Sequence, residues 1–376
     1  MEKNDNEKIE KYKCLYKSEN FINKDNKYIH SSKFIPNNSF LIFKDKNILK
    51  YNYCYNSILD SFDSIQFENE FIEKNYIYDY DIIYDENEAN LNICICSKDN
   101  PIRILNRNLS LIKSFSLENK QKDSFLSSIF IKYEPFGLNL FTGKNYLCKI
   151  DLIKQRELFT IYNKNYNYLS CFDYNIKNSC YFLGSYSNKI LMCDYKTDKI
   201  IEIFNQEKPV NQIKILNSQN YNIIVGYRNC DYISLFDIRK MNNYLSRLKR
   251  NAMTTKKINF ILDNKEKNLY SGSVDGKLIR YSIFDKIRDK ELNFEENNIN
   301  KINYDIINDE IDIGIINCIS SIDLNNDLNL MLITNGEKNN DYISYLRQDD
   351  DSDIISESQN ICYESQFFIF KINEGH

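Results

Sequence analysis

One pattern recurs four times between residues 141 and 285 of this 376-residue chain. A short apolar run ends in a small residue, a polar turn follows, and a second alternating run ends at or near an Asp. The glycines of the four copies, Gly143, Gly184, Gly226 and Gly272, are separated by 41, 42 and 46 residues. A period of about 40 residues made of short alternating runs is typical of units that bury their faces by stacking on one another.

Weaker copies of the unit flank these four, and one more apolar run precedes each of the seven pairs. The first copy lies at 43–53 and the second at 94–106, while the last is split between 328–336 and 367–373. Each unit supplies about three or four strands of about five to six residues. Because such units close most economically into a ring, we predict an all-β fold, a seven-bladed WD40 β-propeller.

The two ends of the chain indicate how the ring closes. Residues 12–16 (YKCLY) alternate ahead of the first unit, and we expect them to become the outer strand of the last blade, which hides two open sheet edges. We expect a disordered N-terminus over 1–10 and a single propeller domain over 11–373, with insertions at 286–314 and 337–365. The second insertion is acidic and poor in apolar residues, which favours a solvated loop.

Composition argues against several classes of protein. The 49 basic and 53 acidic residues give a net charge of −4, unlike that of a strongly basic nucleic-acid coat. Apolar runs are far shorter than the roughly 18 residues of a membrane-spanning helix, and the charged N-terminus lacks the apolar part of a secretory signal. The 11 scattered cysteines favour reduced thiols in an intracellular core.

No catalytic or metal-binding pattern stands out. The two histidines, His30 and His376, lie near the chain ends, and no Cys-x-x-Cys occurs. Cys94 and Cys96 fall on one face of a strand, where core packing is the more common role. We therefore expect no enzymatic activity, no metal, no cofactor, no small-molecule substrate and no membrane partner.

The turns of a propeller sort into two faces, and the two faces are predicted to differ in charge. The turns between second and third strands share one face with the segments that lead into the first strands. That face carries a basic and aromatic group: Lys98, Lys144, Tyr186, Arg228, Lys256 and Lys257. The opposite face is expected to be more acidic, through residues such as Asp263, Glu266, Asp323 and Asp327.

Lysine and arginine neutralise phosphates, and tyrosine stacks on unpaired bases. The basic and aromatic group is therefore our candidate RNA-binding site, with Tyr166 and Tyr227 as further stacking candidates. The ordinary alternative is that charge on such a face is solvated surface, since Lys is abundant throughout the chain.

The second unit, residues 77–106, resembles a blade of the telomerase Cajal-body WD-repeat protein family. In that family an Ile-Tyr-Asp-Tyr run is followed by a Ser-x-x-Asn-Pro-Ile turn, and here the same residues stand at 77–80 and 97–102. Further matches follow in order from about residue 18 to 373. Thr254, Thr255 and Lys257 match a segment in which the family has an Arg at the position of the Lys. The family's tryptophans and its acidic, Pro-rich N-terminal region are absent.

This resemblance implies an RNA-binding scaffold. Such a protein recognises a terminal loop of a small nuclear RNA of the H/ACA type, with telomerase RNA as one candidate. It aids assembly with ribonucleoprotein proteins and localisation to the nucleus, in Cajal-body-like or nucleolar sites, with room for a cytoplasmic pool. Two alternatives stay open: a protein–protein interaction scaffold without RNA binding, and a WD-repeat hydrolase of the diphthine methylesterase type with an acid–base pair in the central channel.

Overall fold

The computed structural model describes most of the chain, with gaps between the described segments. These are residues 12–18, 29–84, 91–116, 118–119, 124–125, 130–133, 138–143, 145–151, 156–162, 168–175, 179–197, 199–217, 221–283, 308–312, 318–336 and 365–372. Nearly all regular structure in them is β-strand, with one 3-10 turn at Ile238–Lys240. No helix in these segments combines the length and the apolar character needed to cross a membrane.

Six antiparallel four-stranded sheets are each made of four consecutive strands. The first three are β2 (Ile29–Ile35), β3 (Ser39–Lys44), β4 (Asn47–Asn56), β5 (Ser61–Ile72); β6 (Ile77–Tyr84), β7 (Leu91–Ser97), β8 (Ile102–Asn106), β9 (Leu111–Phe115); and β12 (Phe130–Tyr133), β13 (Leu138–Gly143), β14 (Tyr146–Asp151), β15 (Arg156–Tyr162). A short pair, β10 (Glu118–Asn119) and β11 (Ser124–Phe125), precedes the third sheet.

The next three sheets repeat the same order of strands. They are β16 (Leu169–Asn175), β17 (Cys180–Ser185), β18 (Lys189–Asp194), β19 (Ile200–Asn205); β20 (Val210–Ile215), β21 (Asn222–Tyr227), β22 (Tyr232–Asp237), β23 (Tyr244–Lys249); and β24 (Phe260–Leu262), β25 (Asn268–Ser271), β26 (Lys277–Ser282), β27 (Asn308–Asp312). The arrangement is that of a β-propeller, with the first strand of each blade innermost.

Both ends of the chain combine in one further four-stranded sheet, here called the composite sheet. Its order is β1 (Tyr12–Lys17), β30 (Phe367–Ile372), β29 (Leu330–Asn335) and β28 (Ile319–Asn325). Strand β28 contacts β24 of the sixth blade and β2 of the first blade. The blades that are continuous in sequence therefore number six, one fewer than the sequence predicts, because the remaining strands come from opposite ends of the chain.

Strand β1 occupies the outer position that the sequence predicts for residues 12–16. It pairs antiparallel with β30 from Tyr12 opposite Ile372 to Lys17 opposite Phe368. Beyond the strand, the Ser18 N–H donates to the carbonyl of Phe367 at 3.0 Å, and the Phe367 N–H donates to Ser18 Oγ at 3.0 Å. These bonds join the first described residues to the last described strand.

Part of a predicted insertion is a strand. Residues 308–312 fall within the predicted insertion 286–314, yet they form β27 and pair with β26 as the outer strand of the sixth blade. The sequence NDEID shows almost no apolar alternation, and Ile311 is its one residue classed as buried among those with described side chains. The rest of that insertion, most of 337–365, and residues 1–10 lie outside the described segments.

Three of the glycines that mark the repeat lie where neighbouring sheets pack closely against each other. A Cβ atom on Gly184 would come within 2.6 Å of Val210 Cγ1, and one on Gly226 within 2.9 Å of Phe260 Cε1. A Cβ on Gly272 would come within 2.7 Å of Ile319 Cγ2. In each case the obstructing side chain opens the next blade or the composite sheet, so the period in the sequence reflects the spacing of the sheets.

Side chains on the innermost strands bond each blade to its neighbour. The carboxylates of Asp323 and Asp173 accept the backbone N–H groups of Phe34 and Ile215, at 2.7 and 2.8 Å. The same link is made by two further residues of the inner strands: Asp79 accepts from the N–H of Ile131 at 3.2 Å, and Gln212 accepts from that of Phe260 at 3.1 Å. An innermost strand has an open backbone edge, and these acceptors satisfy part of it.

Candidate nucleic-acid interface

Hydrogen bonds show that the turns between second and third strands lie on the same face as the segments that lead into the first strands. The N–H of Lys98 donates to the carbonyl of Tyr76 at 2.8 Å, and that of Tyr186 donates to Tyr168 at 2.9 Å. The N–H of Arg228 donates to Pro209 at 2.8 Å. Each bond joins a turn between second and third strands to the segment that leads into an inner strand. We call this side of the ring the upper face and the opposite side the lower face.

Three of the predicted residues come together near the mouth of the central channel. The guanidinium carbon of Arg228 lies 5.3 Å from the ring centre of Tyr186, within the range of a cation–π contact. Burial raises the pKa of the Tyr186 phenol, and the nearby positive charges of Lys257 and Arg228 oppose that shift. Tyr186, Arg228 and Lys257 therefore form one basic, aromatic cluster, here called the mouth cluster.

The Lys257 amine is placed by its effect on several neighbours. Its charge lowers the pKa of the buried thiols Cys96 and Cys171 against the larger, opposite effect of burial. It also adds to the burial that lowers the pKa of His30 to about 4. Lys257 also lines the central cavity together with residues of the inner strands of several blades, so it lies where the blades converge.

One guanidinium donor of Arg228 has no acceptor among the described residues. Its Nε is buried, and no described residue accepts a hydrogen bond from it. The side chain as a whole is only partly buried. A buried guanidinium N–H without an acceptor is costly, and a small movement of the side chain toward an anionic oxygen bound at the mouth cluster would relieve that cost.

The other predicted site residues have different positions. Lys98 is exposed on the upper face next to Asp99. Lys256 is partly buried, and its positive charge lowers the pKa of Cys318, although burial raises that pKa by more. Lys144 and Tyr166 lie outside the described residues. The prediction for Tyr227 is wrong, because its ring is only 4% exposed and its phenol donates to Gln206 Oε1 at 2.9 Å.

Two tyrosines that were not singled out extend the site. Tyr78 and Tyr168 are 39% and 38% exposed at the start of inner strands of the second and fourth blades. Burial raises the pKa of Tyr78, with smaller contributions from Asp99, Cys96 and Tyr168. Segments that lead into first strands were assigned to the upper face, and both tyrosines lie at the start of such a strand. Their position in the sequence could therefore have predicted that they belong to this face.

One basic residue of the upper face has a structural role. Arg250 is buried, and its Nη1 donates to the carbonyl of Ile258 at 3.1 Å and to Ser271 Oγ at 3.0 Å. Burial lowers the pKa of its guanidinium to about 10. Arg250 therefore ties the segment ahead of the sixth blade to strand β25 and is not part of the accessible surface.

The central channel contains a cavity of about 720 Å³ lined by the innermost strands. Asp323, predicted on the lower face, lies in this channel, where its carboxylate meets Lys33 Nζ at 2.7 Å. Asp173 meets Lys214 Nζ at 3.6 Å. Since both carboxylates also accept a backbone N–H, they act as links between blades. Among the described residues, no group of three or more His, Cys, Asp or Glu has the geometry of a metal site.

The predicted acidic character of the lower face is not found among the described residues. Asp263 accepts from the N–H of Lys267 at 2.8 Å, and Glu266 accepts from that of Asn217 at 2.9 Å. The exposed side chains of Lys240 and Lys265 lie on the same face. The acidic side chains of the lower face accept hydrogen bonds within turns, and lysines lie between them. The two faces therefore do not differ in overall charge as predicted, and what distinguishes the upper face is the mouth cluster.

A scan against protein-family models and a search of curated proteins found no match to this chain. Its function must be inferred from the residues of the upper face.

Proposed function

We propose that the protein is a non-catalytic, RNA-binding propeller whose upper face holds an unpaired loop of a small nuclear RNA of the H/ACA type. The composite sheet serves as the seventh blade of a WD40-type ring in this proposal. The observation that carries it is the mouth cluster, in which Arg228 lies over Tyr186 beside Lys257. The likeness of residues 77–106 to a family that binds such RNA supports the same class of ligand.

Phosphate binding would use the cations of the mouth cluster. The ring of Tyr186 packs against the Arg228 guanidinium, whose planar set of donors suits a phosphate oxygen. Lys257 adds a second positive charge that is exposed to solvent. Two cations at one point of the upper face match the close spacing of phosphates along a single strand.

Base binding would use the exposed tyrosines. Tyr78 and Tyr168 present partly open rings, and stacking of a base on an aromatic ring contributes about 1–3 kcal/mol. Exposed Lys98 lies on the same side of the second blade as Tyr78. A single RNA strand that runs from these residues toward Arg228 would meet the tyrosines first and the mouth cluster next. Splayed loop bases are recognised in this way.

The decisive experiment compares charge reversal on the two faces. The variant Arg228→Glu with Lys257→Glu should weaken binding of a synthetic stem-loop carrying an H/ACA terminal loop by at least about tenfold, because two phosphate contacts become repulsive. Its salt dependence should also fall by a slope of about 1.4, since each lost contact to a single strand contributes about 0.7. Dissociation constants measured over a series of salt concentrations give both quantities.

Lys240→Glu with Lys265→Glu is the matched control, because it makes the same change of charge on the lower face. This control should bind the stem-loop as the wild type does. Equal loss in both variants would mean that net charge alone attracts the RNA. No loss in the upper-face variant would remove the mouth cluster from the site.

A further inference from the structure

The outer strand of the first blade differs from every other described outer strand in length. Strand β5 has 12 residues, whereas β9 and β27 have 5, β1, β19 and β23 have 6, and β15 has 7. Its partner β4 has 10 residues, so the hairpin projects past the body of the blade on the lower side. As the last strand of its sheet, β5 pairs on one edge only, and no described strand pairs with the other.

The projecting hairpin is anchored to the composite sheet by polar and apolar contacts. Lys371 Nζ donates to the Tyr55 phenol at 2.9 Å and lies 3.2 Å from Asp60 Oδ1. Tyr53 accepts from Asn325 Nδ2 at 3.2 Å and packs, with Phe62, into the core shared by the two sheets. An edge fixed in this way loses little conformational entropy when another strand pairs with it.

Apolar and acidic side chains are both exposed along β5. Phe67 is 56% exposed and Ile72 66% exposed. Exposed carboxylates are interspersed with them at Asp63, Glu68 and Glu70, and Glu68 is paired with Lys50 Nζ at 2.7 Å. A long edge with exposed apolar side chains is a ready template for pairing, and like charges placed opposite one another across two strands disfavour a second copy of the same edge.

We propose that β5 is the docking edge for an extended, basic segment of a protein partner, which adds to the first blade as a fifth strand. Backbone hydrogen bonds along the free edge supply affinity in this mode of recognition. Lysine or arginine side chains of the partner face Asp63 and Glu70, and its apolar side chains cover Phe67 and Ile72. This surface is distinct from the mouth cluster and does not depend on RNA binding.

The probe is a ten-residue peptide of alternating Lys and Val, with a Glu and Val peptide of equal length for comparison. The wild type should bind the basic peptide and discriminate against the acidic one. The variant Asp63→Lys with Glu70→Lys should weaken binding of the basic peptide by at least about tenfold, because the attraction between β5 and the peptide becomes repulsion. Hydrogen exchange on the wild-type protein should show new protection of β5 amides when the basic peptide is bound.

Strand β19 provides the control, since it is also an outer strand with exposed apolar side chains, Ile201 and Ile203, beside an exposed acid. Glu202→Lys should leave peptide binding unchanged, and so should the Arg228→Glu, Lys257→Glu variant. Equal binding of the two peptides, an equal loss in Glu202→Lys, or absence of new protection in β5 would each overturn the proposal. Circular dichroism of each variant verifies that the propeller is folded.

Discussion

Asparagine and aspartate form the tight turns of the upper face. Each of the six continuous blades has a left-handed residue between its second and third strands, and five of the six are not glycine: Asp45, Asp99, Asn145, Asn188 and Asn229, with Gly276 in the sixth blade. Short polar side chains tolerate this conformation because they bond to the local backbone. The chain can therefore make many turns with only 9 glycines, and part of its high Asn content has a structural use that composition alone does not reveal.

His30 is the residue whose titration should be most visible in stability. Its ring packs near Phe43 and Tyr76, with ring centres 6.2 and 5.6 Å apart. Burial, assisted by the charge of Lys257, lowers the pKa of His30 to about 4, against about 6.5 in an unfolded chain. The folded state therefore binds this proton more weakly. The contribution of neutral His30 to stability is complete above about pH 6.5 and is lost as the pH falls toward 4.

The variant His30→Gln should remove that dependence. Between pH 7 and pH 5 the wild type should lose about 1–2 kcal/mol more unfolding free energy than the variant, as linkage requires for a depressed histidine. Urea unfolding at the two pH values measures the difference. Parallel losses in the two proteins would show that His30 titrates normally in the folded state.

At the level of the strands, the repeated glycine sets the distance between blades. Gly226→Ala should destabilise the protein by about 1–3 kcal/mol, the usual cost of overpacking a filled site, because its new Cβ would collide with the Phe260 ring. Phe260→Leu removes the colliding atoms, so the double variant should lose less than the sum of the two single changes. Thermal or urea unfolding of the four proteins gives the coupling energy. Strict additivity would contradict the proposed contact.

The sequence predicts the elements that are specified by their own residues, and it does not predict those that are specified by contacts with distant parts of the chain. The glycines at the second strands of the fourth, fifth and sixth blades, and the alternation of residues 12–16, are visible because close packing and strand pairing restrict them directly. Strand β27 was missed because its polar sequence is specified by pairing with β26 rather than by burial. The position of Asp323 was predicted wrongly, since only the closed ring brings it against Lys33 and Phe34, 289 or more residues away.

The same distinction applies to the candidate site. Tyr186, Arg228 and Lys257 could be assigned to one face from their positions in the repeat. Their proximity depends on how three separate segments converge at the channel, which no spacing in the chain encodes. Arg250 shows the converse, because it lies in the same segment as Lys257, between β23 and β24, and yet it is buried and has a structural role.

On the scale of the whole molecule, closure joins the two ends of the chain. Strand β1 pairs with β30, and the hairpin of β4 and β5 reaches across to the same sheet through Tyr55 and Lys371. The first blade and β1 thus hold the composite sheet from two directions. Since the composite sheet lies between the sixth and first blades, its loss would open the ring at one place and expose the core that contains Phe40 and Leu332.

Deletion of residues 1–17 should therefore lower stability and expose an unpaired β30 edge. An open, apolar edge favours pairing between molecules, so the truncated protein should associate in a concentration-dependent way and unfold at a lower temperature. A peptide with the sequence of residues 12–18, added in trans, should restore the monomer and raise the unfolding temperature by mass action, whereas a scrambled peptide should not. Deletion of residues 1–11 alone, which keeps β1, is the control for the loss of the segment that precedes the strand. If the longer deletion leaves a monomer with the wild-type unfolding temperature, pairing of β1 with β30 does not hold the ring closed, and closure must depend on the contacts of the first blade with the composite sheet.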